Sequence, residues 1–275
     1  MSPDGKLLAG ALEEEIVAYD PGRGVATKLP GSRGRSCVWA PDGKHIIHSG
    51  VVGSDVDTLA IWWTRADGST QPQKLAERKT RDLRVTSMSP DGRHLAFWTT
   101  RDETGGRPEI WTLNLDLRDP EHPKAEATQS FLSKPGGAQD AAFSPDGKWI
   151  AYTGRESGSH SPDIFVRPYP GTESTGQWQI SSAGGGFPLW SPKGGQMYYL
   201  SNVGEIMVVD YRTGPGAFVA SKPRPTGIRT AILATAIPYD ASPDGKRFSC
   251  RPLRYQRRRA SPRHVPFQLL RRTQA

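Results

Sequence analysis

Only two of the 275 residues are cysteine, Cys37 and Cys250. Two thiols so far apart in the chain cannot make the disulfide framework of a small secreted scaffold. Both lie in strand-like stretches and read as small buried hydrophobes. Long apolar runs are also missing. The longest uncharged, apolar-leaning stretch, around Thr230–Ile237, falls far short of the ~20 residues that a membrane-crossing helix requires. Helical signal is equally scarce. Leu12–Ile16, with Glu13, Glu14 and Glu15, is the one helix-like run; it is too short to stand alone and reads as a loop entering a strand. No Gly-Xaa-Ser-Xaa-Gly elbow occurs, and no Gly-rich loop with a following catalytic Lys, His-Arg-Asp or Asp-Phe-Gly. Within these residues that excludes a hydrolase of the nucleophile-elbow type and a protein kinase.

Gly (30) and Pro (24) are plentiful, together well above the roughly 12% of average chains. Eight each of Trp, Tyr and Phe supply apolar anchors that a disordered chain lacks. One phrase recurs six times: Ser2-Pro3-Asp4-Gly5, Ala40-Pro41-Asp42-Gly43, Ser89-Pro90-Asp91-Gly92, Ser144-Pro145-Asp146-Gly147, Ser191-Pro192-Lys193-Gly194 and Ser242-Pro243-Asp244-Gly245. Its prolines stand 38, 49, 55, 47 and 51 residues apart, the size of a four-stranded propeller blade. Pro presets φ for the second position of a type I turn, Ser can bond the turn backbone, and Gly accepts the positive φ of the exit. Each phrase therefore predicts a hairpin turn.

The flanks hold two apolar columns. Two residues before Pro stand Trp39, Met88, Phe143 and Trp190, with Ala241 weaker; three residues after Gly stand Leu8, Ile46, Leu95, Ile150, Met197 and Phe248. Third strands follow at Ile16–Tyr19, Ile61–Trp63, Glu109–Leu113, Asp163–Val166 and Glu205–Val209, and weaker fourth strands at Thr27–Leu29, Gln73–Leu75, Ser130–Leu132 and Trp178–Ile180. The expected fold is an all-β propeller over residues 1–250, of about six four-stranded blades. The first blade lacks its first strand and the last has no third strand in sequence.

Xaa-Trp-Ser-Pro-Asp-Gly-Lys followed by an apolar strand resembles the repeat of TolB-type, WD-repeat-like propellers. A narrower likeness lies in Asp163–Gly171, Trp178–Ser181, Gly184–Ser191, Val209–Gly214 and Pro238–Phe248. These segments resemble the propeller C-terminal to bacterial serine/threonine kinase domains. The resemblance implies a non-catalytic sensor or scaffold module, without cofactor, that binds a protein, peptide or cell-envelope ligand. The same repeats form the lid propeller of prolyl-oligopeptidase and dipeptidyl-peptidase enzymes, so a lid whose hydrolase is encoded elsewhere is the alternative. As part of a longer protein the module is expected outside the cytoplasm. As a complete chain it is expected inside, since the first motif begins at Ser2 with no signal peptide ahead of it.

Other candidate chemistry is thin. His45 and His48 point to opposite faces of a strand, and Asp55 and Asp57 read as solvated loop carboxylates, so no metal site is expected. Of Trp62 and Trp63, one should be core. The loop residues just before each first strand, Arg35, Arg84, Gln139, Phe187 and Tyr239, are the candidate binding residues, because such loops converge at the mouth of a propeller channel. Eight of the 36 basic residues are arginines within 251–275, a stretch without an acid, while the remaining 28 balance the 28 acids. This tail is expected to be disordered and detached, with an imperfect closure between first and last blades. Its aromatic content is too slight for base stacking, so nucleic acid is not the expected partner, and the chain is expected to be a monomer.

Overall fold

The computed structural model describes residues 1–100, 106–156, 158–171, 176–214, 216–230, 238–250 and 268–271. Among them there is no helix, and every paired strand is antiparallel. The strands form six sheets in chain order. The first holds β1 (Leu8–Leu12), β2 (Glu15–Asp20) and β3 (Val25–Arg33). The second holds β4 (Cys37–Trp39), β5 (His45–Val52), β6 (Asp55–Arg65) and β7 (Gln73–Lys79). The third runs β8 (Leu83–Met88), β9 (His94–Thr100), β10 (Pro108–Asp116) and β11 (Lys124–Leu132). The fourth runs β12 (Ala138–Phe143), β13 (Trp149–Gly154), β14 (Asp163–Pro168) and β15 (Trp178–Gln179). The fifth runs β16 (Gly186–Trp190), β17 (Gln196–Leu200), β18 (Glu205–Gly214) and β19 (Ala217–Ala220), and β20 (Arg224–Arg229) also pairs with β18. The sixth holds β21 (Tyr239–Ala241), β22 (Arg247–Cys250) and β23 (Gln268–Arg271).

The two apolar columns of the repeat are one feature. Trp39 pairs with Ile46, Met88 with Leu95, Phe143 with Ile150, Trp190 with Met197 and Ala241 with Phe248. Each is the last cross-strand pair before the turn, so the turn chemistry fixes the register that buries the second column and sets the first against it, with Trp39 and Met88 half-buried.

The turn itself is a small hydrogen-bonded cage. In the fourth sheet, Ser144 Oγ donates to Asp146 Oδ1 at 2.6 Å and accepts from Trp149 N at 3.0 Å. Asp146 Oδ1 also accepts from Lys148 N at 3.1 Å, and Gly147 N donates to Ser144 O at 2.9 Å. Ser2 and Ser89 build the same cage. Ala40 has no hydroxyl, and there Asp42 Oδ1 takes both following amides, Lys44 N at 2.8 Å and His45 N at 3.0 Å. The exit glycine has φ between +66° and +74° in all six turns.

Neighbouring turns touch. A Cβ on Gly43, Gly92 or Gly147 would meet Pro3, Pro41 or Pro90 of the turn before at 3.7, 3.3 and 3.5 Å, and one on Gly5 would meet Pro243 at 3.1 Å. The last contact joins the first and sixth sheets, as does the ion pair between the Met1 ammonium and Asp240.

Several expectations need correction. The last sheet does gain a third strand, β23, which pairs Phe248 with Leu270 and Cys250 with Gln268. The arginine-rich tail is therefore not wholly detached. Its apolar Leu270 packs beside Phe248 and Cys250, and that burial recruits it; the rest of the tail and residues 231–237 lie outside the described residues. Glu13 and Glu14 do form the loop that enters a strand, here β2. Both have positive φ (51° and 66°) and form the two-residue turn between β1 and β2, whose twist suits a hairpin. Asp55 and Asp57 lie in β6 rather than in a loop. Trp63 is the core member of its pair, with Trp62 half-buried.

Replacing Gly147 by Val should destabilise the fold by roughly 1–3 kcal/mol, because a β-branched residue resists positive φ. At 3.5 Å from Pro90 the added Cβ has room, so Gly147→Asn, which tolerates this conformation, should lose distinctly less in urea unfolding. Equal losses would place the penalty in sterics instead.

Candidate functional site

All six sheets border one cavity of about 410 Å³, so they are arranged around a central channel. Its wall is mostly apolar and includes Val38, Trp39, Met88, Phe143, Leu189 and Trp190, with Met1 in the same repeat position ahead of Pro3. Arg35 is the one basic side chain among the described lining residues and Asp240 the one acid. Both are paired: Arg35 bonds Glu14 Oε1 through Nε at 3.2 Å and Nη2 at 2.8 Å, and Asp240 holds the Met1 ammonium.

Trp190 and Trp39 occupy the same position of the repeat and differ in one bond. Trp190 Nε1 donates to the carbonyl of Ala142, on the first strand of the preceding sheet, at 2.9 Å. Trp39 Nε1 is buried and has no partner.

The five candidate residues fall into two groups. Arg35, exposed, and Tyr239, buried, line the cavity. Arg84, Gln139 and Phe187 surround the starts of the first strands in sheets three to five without lining it. Tyr239 links the groups: its hydroxyl donates to Phe187 O at 2.8 Å, and burial pushes its pKa well above the ordinary value. Phe187 N in turn donates to Thr153 Oγ1 at 3.1 Å. Arg84, buried, pairs with Asp82 at 2.6 Å and lies over the Trp98 ring at 5.6 Å.

At the centre of the second group stands Asp140, which the sequence reading passed over. It is 7% exposed, has φ +55°, and accepts from Gln139 Nε2 at 3.3 Å. Burial pushes its pKa up to about 6, against hydrogen bonds from Thr153, Gln139 and Trp98 and the nearby charge of Arg84. An Asp inside the otherwise uncharged β12 sequence was the available signal. The two histidines have local partners: His45 Nδ1 meets Asp42 Oδ2 at 2.6 Å, and His48 Nε2 meets Thr64 Oγ1 at 3.1 Å, with burial lowering the His48 pKa to about 4. Among the described residues no group of three or more His, Cys, Asp or Glu side chains is placed to hold a metal, and no helix is long and apolar enough to cross a membrane.

No family model and no curated relative matches the chain. Solved structures do. A protein described as TolB from Agrobacterium tumefaciens is 22% identical, with a TM-score of 0.61 over 89% of this chain and 84% of that one. TolB from Acinetobacter baumannii is 18% identical, with a TM-score of 0.55 over 88% of this chain and 56% of that one. A puromycin-hydrolysing peptidase from Mycobacterium tuberculosis is 15% identical, with a TM-score of 0.55 over 90% of this chain and 44% of that one. The chain has a TolB-like propeller fold. Identities this low carry the fold and nothing finer.

The raised pKa of Asp140 gives a signed prediction. In the unfolded chain it titrates near 3.8 and in the fold near 6, so the fold binds the proton more tightly. Stability is highest below about pH 4 for this group and falls as pH rises towards 6, by roughly 1–3 kcal/mol. Asp140→Asn keeps the positive φ accessible and should remove this fall in denaturant titrations between pH 4 and 7. An unchanged pH slope would assign the effect to another group.

Proposed function

We propose that the chain is a non-catalytic binding module, its six sheets acting as six blades, that takes an extended peptide segment of a protein partner in the central channel. One observation carries the reading: a single cavity bordered by every sheet, apolar along its wall, with its charged groups already paired. About 410 Å³ lies within the ~300–1,000 Å³ range of ligand pockets. Arg35 would contact the ligand at the wall and Gln139 and Phe187 at the mouth, while the buried Arg84 and Tyr239 hold the layer beneath them in place. The likeness of residues 163–248 to kinase-associated propellers supports a sensor or scaffold in a longer, extracytoplasmic protein. The chain acts as a monomer in this reading, and nucleic acid is not the partner, since Arg35 alone among the described lining residues is basic.

A second reading is favoured by the peptidase likeness, in which this chain matches 44% of the other protein: the lid of a peptidase whose hydrolase is a separate unit. Both readings have the propeller itself bind peptide without cleaving it. A random heptapeptide display library panned on the purified chain should enrich uncharged, apolar sequences. Met88→Lys and Leu189→Lys, which place a charge in the channel wall, should weaken the selected peptides tenfold or more, equivalent to at least ~1.4 kcal/mol. Turnover of peptide by the chain alone, or binding indifferent to both lysines, would overturn the proposal.

A further inference from the structure

The fifth turn differs from the other five in charge. In the turns that keep aspartate, its Oδ1 accepts from the amide of the residue after glycine: Lys6 at 3.1 Å, Lys44 at 2.8 Å, Arg93 at 3.0 Å, Lys148 at 3.1 Å and Lys246 at 3.0 Å. Lys193-Gly194-Gly195 stands where those turns have Asp-Gly-Lys or Asp-Gly-Arg. The backbone frame is unchanged. Gly194 N donates to Ser191 O at 2.8 Å and Ser191 N to Gln196 O at 2.9 Å, as Gly147 does to Ser144 and Ser144 to Trp149. What is lost is the carboxylate. Ser191 Oγ is left without a partner among the described residues, although Ser191 is only 5% exposed. The Gly195 amide turns instead to the hydroxyl of Tyr211, on β18.

The turn also stands apart from its neighbour. A Cβ on Gly194 would meet Tyr211 Oη at 3.8 Å and no proline, and the space between is a groove of about 450 Å³. Pro145 and Asp146 line it from the fourth turn, Lys193 and Gly195 from the fifth, and Tyr211 and Arg212 from β18. Tyr211 is fixed in place: its ring stacks on Phe218 at 5.3 Å and meets Trp190 edge-on at 4.9 Å. Its oxygen takes the Gly195 amide, so its proton is left to donate, and it has no acceptor among the described residues. Partial burial raises its pKa, so the proton stays on. Lys193 and Arg212 are exposed and form no ion pair among the described residues. Asp146, the one acid among the described lining residues, spends Oδ1 on Ser144 and Lys148. The groove therefore holds two cations against one engaged anion.

We infer that this groove binds a ligand carboxylate, standing in for the aspartate that the fifth turn lacks, with Tyr211 Oη donating to it and Lys193 and Arg212 flanking it. A hydrogen bond to an ionised acceptor is about twice as strong as one between neutral groups, and the two cations supply the counter-charge. The apolar faces of Pro145, Pro192 and Tyr211 leave room for the group that carries the carboxylate, either an acidic side chain of a protein or a free carboxylic acid. Tyr211, Lys193 and Arg212 are absent from the channel wall, so the inference stands apart from the peptide-binding reading.

The test follows the Gly195 amide by ¹⁵N NMR at low salt as acetyl-Ala-Asp-Ala-amide, whose side chain is its sole carboxylate, is titrated into the purified chain. The expected result is a saturable shift at millimolar peptide or below, with acetyl-Ala-Asn-Ala-amide binding at least tenfold more weakly. Tyr211→Phe keeps the stacked ring and should weaken binding three- to tenfold, the worth of one net hydrogen bond. Lys193→Asp supplies the missing carboxylate from within the turn. It should abolish binding and raise the urea midpoint of unfolding, a gain that a damaged fold would not show. Sodium acetate binding as tightly as the peptide supports the site with a free acid as its ligand, and tighter binding of the peptide supports it with an acidic side chain. A motionless Gly195 amide, equal affinity for the asparagine peptide, or undiminished binding to Lys193→Asp overturns the inference.

Discussion

Everything in this propeller hangs on a four-residue turn in which a serine hydroxyl, an aspartate carboxylate and a left-handed glycine satisfy one another. The cage uses up the amides that would otherwise be left bare at the end of a hairpin. It also sets which residues face each other across the hairpin, and so which side chains enter the core. Trp39 opposite Ile46 and Phe143 opposite Ile150 are consequences of the turn as much as of hydrophobicity. The Ala40 turn shows that the cage tolerates losing the hydroxyl when the carboxylate can reach both amides.

Most of the scaffold was legible because the repeat is local chemistry. A turn phrase and two columns at fixed offsets specify a hairpin without reference to distant residues, and third strands such as Asp163–Val166 are β-branched and aromatic enough to announce themselves. What was not legible depends on long-range packing. The pairing of β23 with β22 spans a segment with no repeat pattern, and Leu270 is called to the sheet by Phe248 and Cys250 rather than by its own neighbours. The left-handed geometry of the Glu13–Glu14 turn hid for the opposite reason: glutamate is a poor left-handed residue, so nothing in its type signals the conformation that the flanking strands impose.

The candidate site was legible only as an address. Loop position brought Arg35, Arg84, Gln139, Phe187 and Tyr239 to one end of the sheets, but not which would be exposed. Arg84 and Tyr239 are buried in a hydrogen-bonded layer that ties sheets three to six together, and Asp140 sits within that layer as an acid close to neutrality at mildly acidic pH. Polar groups this deep are satisfied one by one by partners from adjacent sheets, as Phe187 is by Thr153 and Tyr239. That arrangement makes the rim a rigid platform, on which Arg35 is the exposed member.

The glycine-on-proline contacts have a bearing on how the molecule comes apart. They run from the sixth turn through the first to the fourth, so the junction between the first and last sheets lies within an unbroken series. The fifth turn, where lysine replaces aspartate, is the exception on both sides: a Cβ on Gly194 would meet Tyr211 instead of Pro145, and one on Gly245 would meet Ser191 instead of Pro192. A groove of about 450 Å³ opens beside it, between Pro145 and Tyr211. A linear repeat array frays from its terminal units. This one has its break at the fifth turn, and sub-global opening would begin around Ser191–Gly195 while Met1 and Asp240 still hold the first and sixth sheets together.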